Sequence, residues 1–431
     1  MQSRPTITQI LNAFQPNREI ADVERFAGRR DQVQSAYYAL LSEGTNIAVL
    51  GNRGVGKSSL ARQILKIATG QNDLLEKLGI QHDGKLDYLT CYFACGGAIK
   101  GHQDVLNRLL TNKECLSDWV YYLPESTKQV SALNPKLSIG SELIGVAASL
   151  GGKKETEFES KSTISGHSLD TIFLNVVREI LDKKVARSGI LVVIDEFDTI
   201  EDPSGFAYFL KGIATNAPGV KFCIVGVAQD IQNLMKEHES SDRLFSSGII
   251  SAPPMSREEL VEIIEIAERS IDDYIHFDDT ARERMIILAQ GHPYMIHLLG
   301  KHALQHANEI SKLEIGVKDI DYTLQAIAAR GLDPVLENRY KAAIKASSQR
   351  EIVLKSMAAA QGSDGEVYTA NAYKTAIESG IDNASHYVGQ LTSEEHGGEL
   401  VKVRDRYYRF KDSLFHAYVC ARPSQYAGDI Q

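Results

Sequence analysis

The sequence predicts an α/β fold: a parallel sheet with a helical lid and a C-terminal winged-helix domain. Three observations carry that prediction. A short apolar run, Ile47 to Leu50, feeds straight into Gly51-x-x-x-x-Gly56-Lys57-Ser58 and then a helical pattern, which is the strand, glycine-rich loop and helix order of a phosphate-binding loop. Two more apolar runs, Ile190 to Asp195 and Lys221 to Gly226, lead to the acids Asp195-Glu196 and to Val227-Ala-Gln229-Asp230, as buried parallel strands do where a sheet presents a ligand edge. Beyond Pro253 the pattern turns helical, and the chain closes on three helices and a hairpin.

Each element follows from local signals. Ile7, Ile10, Leu11 and Phe14 suggest one short amphipathic helix, with little other pattern up to Glu24. Phe26-Ala-Gly-Arg29 reads as a turn that opens a helix running towards Leu41. After the phosphate loop, Leu60, Ile64, Ile67 and Ala68 recur at helical spacing, and Gly70 is placed to end that helix. Tyr88 to Phe93 reads as a strand, with a helical stretch from His102 to about Tyr122. Residues 124–166, rich in Ser, Gly, Lys and Glu, read as an inserted hairpin or flexible loop. Ser168 is placed to cap an amphipathic helix that carries Leu169, Ile172, Phe173, Val176, Val177, Ile180 and Leu181 on one face.

A helix ending near Arg243 precedes a last strand near Gly248 to Ile250. Ser256 and Glu259 form a capping box for the next helix. Two more helices, Asp279 to Gln290 and Pro293 to Ala307, are split by Gly291-His292-Pro293, and this all-helical stretch reads as a lid. Helices from Ile352, Ala370 and Asn383, a short strand at Val367, and a hairpin of Leu400 to Val403 with Tyr407 to Phe410 make the winged-helix pattern. The expected divisions are an N-terminal segment 1–24, an α/β domain 25–252 with the insertion 124–166, a lid 253–331, a winged helix 332–422 and a tail 423–431.

The loop's chemistry is that of phosphate recognition. Glycines let successive N–H groups turn inward on one phosphate, and the new helix adds its positive end. Lys57 is expected to reach the β and γ phosphates of ATP, and Ser58 to offer its hydroxyl to Mg²⁺. Adjacent carboxylates have no packing use at the tip of an apolar strand, but a Mg-nucleotide site needs them. Asp195 is therefore expected in the Mg²⁺ shell, through water, and Glu196 as the base that polarises the attacking water. Gln229, just past the third strand, is either a hydrogen-bonding partner of the γ-phosphate or an ordinary loop residue. Arg243 is either a surface cation or the arginine that neutralises charge on a neighbouring subunit's nucleotide.

Composition sets the outer limits. The chain has 431 residues, 43% hydrophobic and 24% charged, enough for two or three domains with their own cores. A net charge of −9 argues against broad nonspecific nucleic-acid affinity. Lys402, Arg404, Arg406, Arg409 and Lys411 in the hairpin are nevertheless suited to double-stranded DNA. Asn383, Ser385, His386 and Gln390 on the third helix lack a basic neighbour, and Glu394 and Glu395 follow them, so a protein partner stays open as the alternative. The five cysteines have no metal or redox spacing and are expected to be reduced and mostly packed. With no signal-like start, and with its most apolar stretch short and broken by Glu142, the chain is expected in the cytoplasm and off the membrane.

Taken together these motifs resemble the AAA+ ATPases related to origin-recognition and replication-initiator proteins, and the nearby archaeal-type signalling ATPases. The resemblance runs from Phe26 to about Arg422. It implies that Phe26 and Arg29 belong to the box that grips the nucleotide base. The loop residues Gly51, Asn52, Arg53, Gly54, Val55, Gly56, Lys57, Ser58 and Ser59 would form Walker A, with Asp195 and Glu196 as Walker B. Gln229 stands where initiators carry a sensor asparagine, and Arg243 where the family places an arginine finger. Gly291-His292-Pro293 is closer to the Gly-x-Pro of the signalling ATPases, which puts His292 and Pro293 near the nucleotide. Tyr408 to Phe415 resembles the close of the archaeal-type winged helix. The resemblance implies ATP hydrolysis to ADP with Mg²⁺, and homo-oligomers built through a finger used in trans. Neither an Asn-Lys-x-Asp guanine motif nor a Leu-Ser-Gly-Gly transporter signature occurs.

Overall fold

The computed structural model describes residues 4–97, 99–113, 115–117, 169–227, 241–362 and 365–426. In chain order the elements begin with α1 (Ile7–Ala13), α2 (Arg30–Leu41), β1 (Ile47–Leu50), α3 (Lys57–Ala68), α4 (Asp73–Lys77), β2 (Tyr88–Ala94) and α5 (His102–Thr111). There follow α6 (Leu169–Asp182), β3 (Gly189–Asp195), α7 (Phe206–Asn216), β4 (Val220–Gly226), α8 (Ser241–Phe245) and β5 (Ile249–Ser251). Next come α9 (Arg257–Arg269), β6 (His276–Phe277), α10 (Asp279–Ala289), α11 (Pro293–Glu309), β7 (Glu314–Ile315), α12 (Val317–Arg330) and α13 (Pro334–Ile344). The chain ends with α14 (Ser348–Ala359), β8 (Glu366–Tyr368), α15 (Thr369–Glu378), α16 (Ala384–Leu391), β9 (Leu400–Arg404), β10 (Tyr407–Phe410) and α17 (Ser413–Ala421). Two compact units result: Arg30–Gly51 with Leu60–Ser251, and Met1–Arg29 with Asn52–Ser59 and Ala252–Gln431.

The first unit is built on a five-stranded sheet in the order β2-β3-β4-β1-β5, and every pairing in it is parallel. The inner strands β3 and β4 are buried along their whole length, which is why they read as near-continuous apolar runs rather than alternating ones. Phe173, Phe206, Phe209 and Phe222 meet edge-on or tilted in the core, tying α6 and α7 to β4. One polar residue of β4 is buried: Lys221 donates through Nζ to the carbonyls of Ala39 and Thr45 (3.1 Å each) and of Ser42, closing off the end of α2. Burial pushes its amine down to about 8.

Local signals do not mark every boundary in this unit. Within the helical stretch expected from His102 to about Tyr122, the helix α5 spans His102–Thr111, and residues 118–122 lie outside the described residues. The apolar rhythm continues past that end through the buried Cys115 and Leu116, so periodicity overruns the turn. Helix α7 carries no cap signal, since its N-cap is Gly205 in the left-handed region. The insertion 124–166 and Ser168 lie outside the described residues.

The second unit has one continuous core running from Ile10 and Phe14 through Leu299 and Tyr340 to Phe415. Helix α1 is therefore not a loose leader: Phe14 is fully buried against Phe277 and His297, in the space left by Gly300 on α11. The stretch expected to be all-helical also holds a short parallel pair, β6 with β7. Two-residue strands are too short for alternation to announce them. Helices α14, α15 and α16 and an antiparallel sheet in the order β8-β10-β9 follow the order expected of a winged helix. Helix α17 closes it. There Arg422 bonds Glu337 at 2.8 and 2.9 Å, Tyr418 donates to Glu337 and Tyr340 to Glu351, all buried. Because every charge has its partner, the desolvation cost of this network is offset. Four of the five cysteines are buried, with Cys420 exposed. No helix among the described residues is long and apolar enough to cross a membrane.

Candidate functional site

Strand register decides which residues share an edge. Leu50 pairs with Gly226, Ile194 with Ile224, and Ala94 with Asp195. The carboxyl ends of β1, β3 and β4 therefore finish level with one another. Gly51, where the phosphate loop begins, donates its N–H to the Gly226 carbonyl at that edge (3.3 Å). Asp195 and Glu196 leave the sheet at the same edge, the position where open parallel sheets bind ligands.

Asp195 is 3% exposed, and each of its oxygens accepts a hydrogen bond. Oδ1 takes the Glu196 N–H at 2.8 Å and Oδ2 the Tyr92 hydroxyl at 2.8 Å. Glu196 adopts φ 55° and ψ 38°, a left-handed conformation that costs a non-glycine residue about 1–3 kcal/mol and is concentrated at functional sites. The twist ends the strand and leaves the Glu196 carboxylate exposed, one residue beyond the buried Asp195. Cys95 lies beside these acids, and burial together with their charges pushes its thiol up to about 12, so it stays protonated.

The loop itself belongs to the second unit. Gly54 and Gly56 hold φ of 74° and 92°, the left-handed backbone that turns N–H groups inward. Lys57 spans the loop by donating Nζ to the Asn52 carbonyl at 2.9 Å. Val55 is fully buried, and its carbonyl accepts from the buried Arg29 guanidinium at 2.8 Å. Burial pulls that guanidinium's pKa down, against the opposing pull of Glu259. The turn bearing Phe26 and Arg29 hangs from α9: Arg29 N–H donates to Glu259 at 2.6 Å and Gly28 N–H to Glu262 at 2.8 Å. Only glycine fits at 28, since a Cβ there would lie 2.4 Å from a Glu259 oxygen. Glu259 thus has a second task besides the capping box, which is present as expected.

Beside the loop lies a slot lined by Ile20, Phe26, Val55, Met255, Ile263 and Pro293. Its walls are mainly apolar, with Arg25, Arg29 and His297 among them. The Ser59 hydroxyl oxygen accepts the Ile20 N–H at 2.9 Å, fastening the N-terminal segment to the loop. Pro293 is the first residue of α11 and packs near Gly56, and His292 precedes it as N-cap. His292 is 2% exposed, its Nδ1 has no hydrogen-bond partner among the described residues, and burial pushes its pKa down to about 4. The Asp412 carboxylate and the Arg53 backbone act against that shift. Leu414, at the start of α17, sits directly on the loop, so that a Cβ at Gly54 would meet its side chain at 2.9 Å.

For Mg²⁺ the donor set fits. Among the described residues no group of three or more His, Cys, Asp or Glu side chains could hold a metal. A hydroxyl, one carboxylate, phosphate oxygens and waters are what Mg²⁺ takes in nucleotide sites, instead of an all-protein cage. Gln229 lies outside the described residues. Arg243 is exposed on α8, and among the described residues its guanidinium makes no ion pair.

In the hairpin Lys402, Arg404, Arg406 and Arg409 are all exposed. They do not form one stripe. Lys402 lies opposite Tyr408 and Arg409 opposite Val401, which puts Lys402 and Arg409 on different faces. Arg404 is 2.6 Å from Glu366 and lies over the Tyr407 ring, 3.8 Å from its centroid. Arg406 stands in the turn beside Asp405 at 3.8 Å.

Comparison with solved structures gives the fold its relatives. The ORC2 protein of Aeropyrum pernix, solved as ADPNP and ADP complexes, is 12% identical, with 97% of this chain and 98% of that one covered at a TM-score of 0.50. The chain shares the fold of this ORC2 protein. A Walker-type ATPase of Pyrococcus abyssi (15% identical, 94% and 98% covered, TM-score 0.48) and Cdc6p of Pyrobaculum aerophilum (10% identical, 97% and 99% covered, TM-score 0.47) are also similar. No family model and no curated protein matches the sequence. Sequence reading missed Tyr92, Leu414 and the carboxylates of Glu259 and Glu262 as parts of the site. Their partners lie far away along the chain, and only the capping box left a local trace.

Proposed function

We propose that this chain is an ATP-binding and ATP-hydrolysing switch of the cytoplasm, whose nucleotide state governs its self-assembly and its hold on a partner. One observation supports the reading above others: the parallel sheet delivers Gly51, ahead of the phosphate loop, and the Asp195-Glu196 pair to a single edge. In this reading residues 25–252 form the ATPase domain, 253–331 its lid and 332–422 the winged helix. The loop N–H groups from Asn52 to Ser59 and Lys57 hold the phosphates. Phe26, Arg29, His292 and Pro293 shape the base side. Ser58 and Asp195 hold Mg²⁺, Asp195 through water, and the metal supplies neutralisation of phosphate charge. Glu196 takes the proton of the attacking water, and Gln229 orients the γ-phosphate.

Arg243 completes a neighbour's site in a homo-oligomer. Arg243→Ala should then lower turnover by on the order of a thousandfold in the assembled state with nucleotide affinity kept. Steady-state rates at concentrations where sedimentation shows assembly provide the check, and an unchanged rate removes the finger.

The winged helix is proposed to meet double-stranded DNA through Lys402, Arg404, Arg406 and Arg409. Duplex affinity should fall steeply with salt, and neutralising Arg404 and Arg406 should flatten that slope by about one for each charge. The second reading, a signalling ATPase whose winged helix binds protein, is favoured by the Arg404–Glu366 ion pair and by cations spread over two faces. An ATPase rate indifferent to DNA, with no salt-dependent duplex binding, selects it.

A further inference from the structure

Tyr92 and Arg62 belong to none of the motifs, yet they converge on the most buried acid of the site. Tyr92 stands on β2 opposite Val193, and Ala94, two residues on, stands opposite Asp195. Residues two apart on a strand share a face, so the phenol reaches diagonally across to Asp195 and donates its hydroxyl to Oδ2 at 2.8 Å. The Glu196 N–H occupies Oδ1 at 2.8 Å. A carboxylate turns about its last torsion in a broad, shallow well, and one donor on each oxygen removes that freedom. Each oxygen keeps further acceptor capacity.

Arg62 completes the arrangement. Its guanidinium carbon lies 3.5 Å from the centroid of the Tyr92 ring, a cation over a π face. A positive charge there draws electron density from the phenol and makes its O–H a stronger donor. Arg62 also lies four residues after Ser58 on α3, so both residues belong to one face of that helix. The contact thus runs from the helix that the phosphate loop opens, through a tyrosine ring, to the acid at the tip of β3.

We infer that Tyr92, backed by Arg62, is a positioning residue for the metal shell, fixing the plane of the Asp195 carboxylate so that it meets a water of Mg²⁺ without reorienting. The inference rests on the reading of Asp195 as part of that shell. Its test is Mn²⁺ binding, followed by electron paramagnetic resonance, to the full chain loaded with a non-hydrolysable ATP analogue. Tyr92→Phe keeps the ring and the Arg62 stack and deletes only the hydroxyl. It should weaken Mn²⁺ binding about tenfold, the lower end of what loss of a supporting contact does at metal sites. Affinity for the metal-free nucleotide should stay unchanged, which a general loosening of the fold would not allow. Arg62→Met, which leaves the hydroxyl, should give a smaller loss in the same direction. Asp195→Asn serves as reference. If Asp195→Asn weakens Mn²⁺ and Tyr92→Phe does not, the positioning role is overturned while the metal site stands. If neither variant changes Mn²⁺ binding, the assignment of Asp195 to the metal fails, and the inference with it.

Discussion

Lys57→Ala should remove most of the affinity for MgATP. The amine is the only side-chain cation inside the Gly51-to-Ser58 loop besides Arg53, and it already spans the loop to the Asn52 carbonyl. Truncating one partner of a hydrogen-bonded charge pair costs about 2–5 kcal/mol, which is on the order of a 30- to several thousand-fold loss in affinity. The fold should survive, because Lys57 is at the first turn of α3 and the buried face of that helix is made by Leu60, Ile64, Ile67 and Ala68. Calorimetric titration with unchanged affinity would refute the phosphate-loop assignment.

Glu196→Gln should keep nucleotide binding and stop turnover. The amide is nearly the same shape as the carboxylate but cannot accept the proton of water, and general bases contribute on the order of 10²- to 10⁴-fold. Because the side chain is exposed and its backbone already sits at φ 55°, the substitution removes chemistry with little change in packing. Phosphate release measured on the purified variant is the check. A normal rate would assign the base elsewhere, and a rate at the blank level makes this variant the background against which DNA stimulation is judged.

What the sequence revealed, and what it withheld, follows from the range of each interaction. The loop, β1 and α3 were readable because glycine spacing and a four-residue apolar run are local statements. The Asp195-Glu196 tip was readable because paired acids at the end of an apolar strand have no packing use. The Ser256 box was readable for the same local reason. Helices α7, α12, α13 and α17 were not. Helix α7 does carry a buried stripe, Phe206, Phe209, Leu210 and Ile213, but its N-cap is Gly205 with no capping side chain to announce its start. Asp333 and Asp412 cap α13 and α17 through their side chains, but a lone Asp before a mixed run is a weak sign. Within the site, the Tyr92 bond to Asp195 and the seat of Leu414 on Gly54 join residues that only the fold brings together. Basic residues of the hairpin could be counted, but the face each one occupies depends on the β9–β10 register, which carries a shift between Tyr407 and Tyr408.

Leu414 resting on Gly54 also joins the Gly51-to-Ser58 loop to the last helix, α17. The loop proposed to hold phosphate is also the seat of the closing helix. A partner that displaced α17 would lift Leu414 off the loop, and a ligand that reshaped the loop would press on α17. Thermodynamic reciprocity then makes the two effects equal in size: if nucleotide alters the partner's affinity by some factor, the partner alters the nucleotide's by the same factor. Titrating nucleotide in the presence of a candidate partner is therefore as informative as titrating the partner itself.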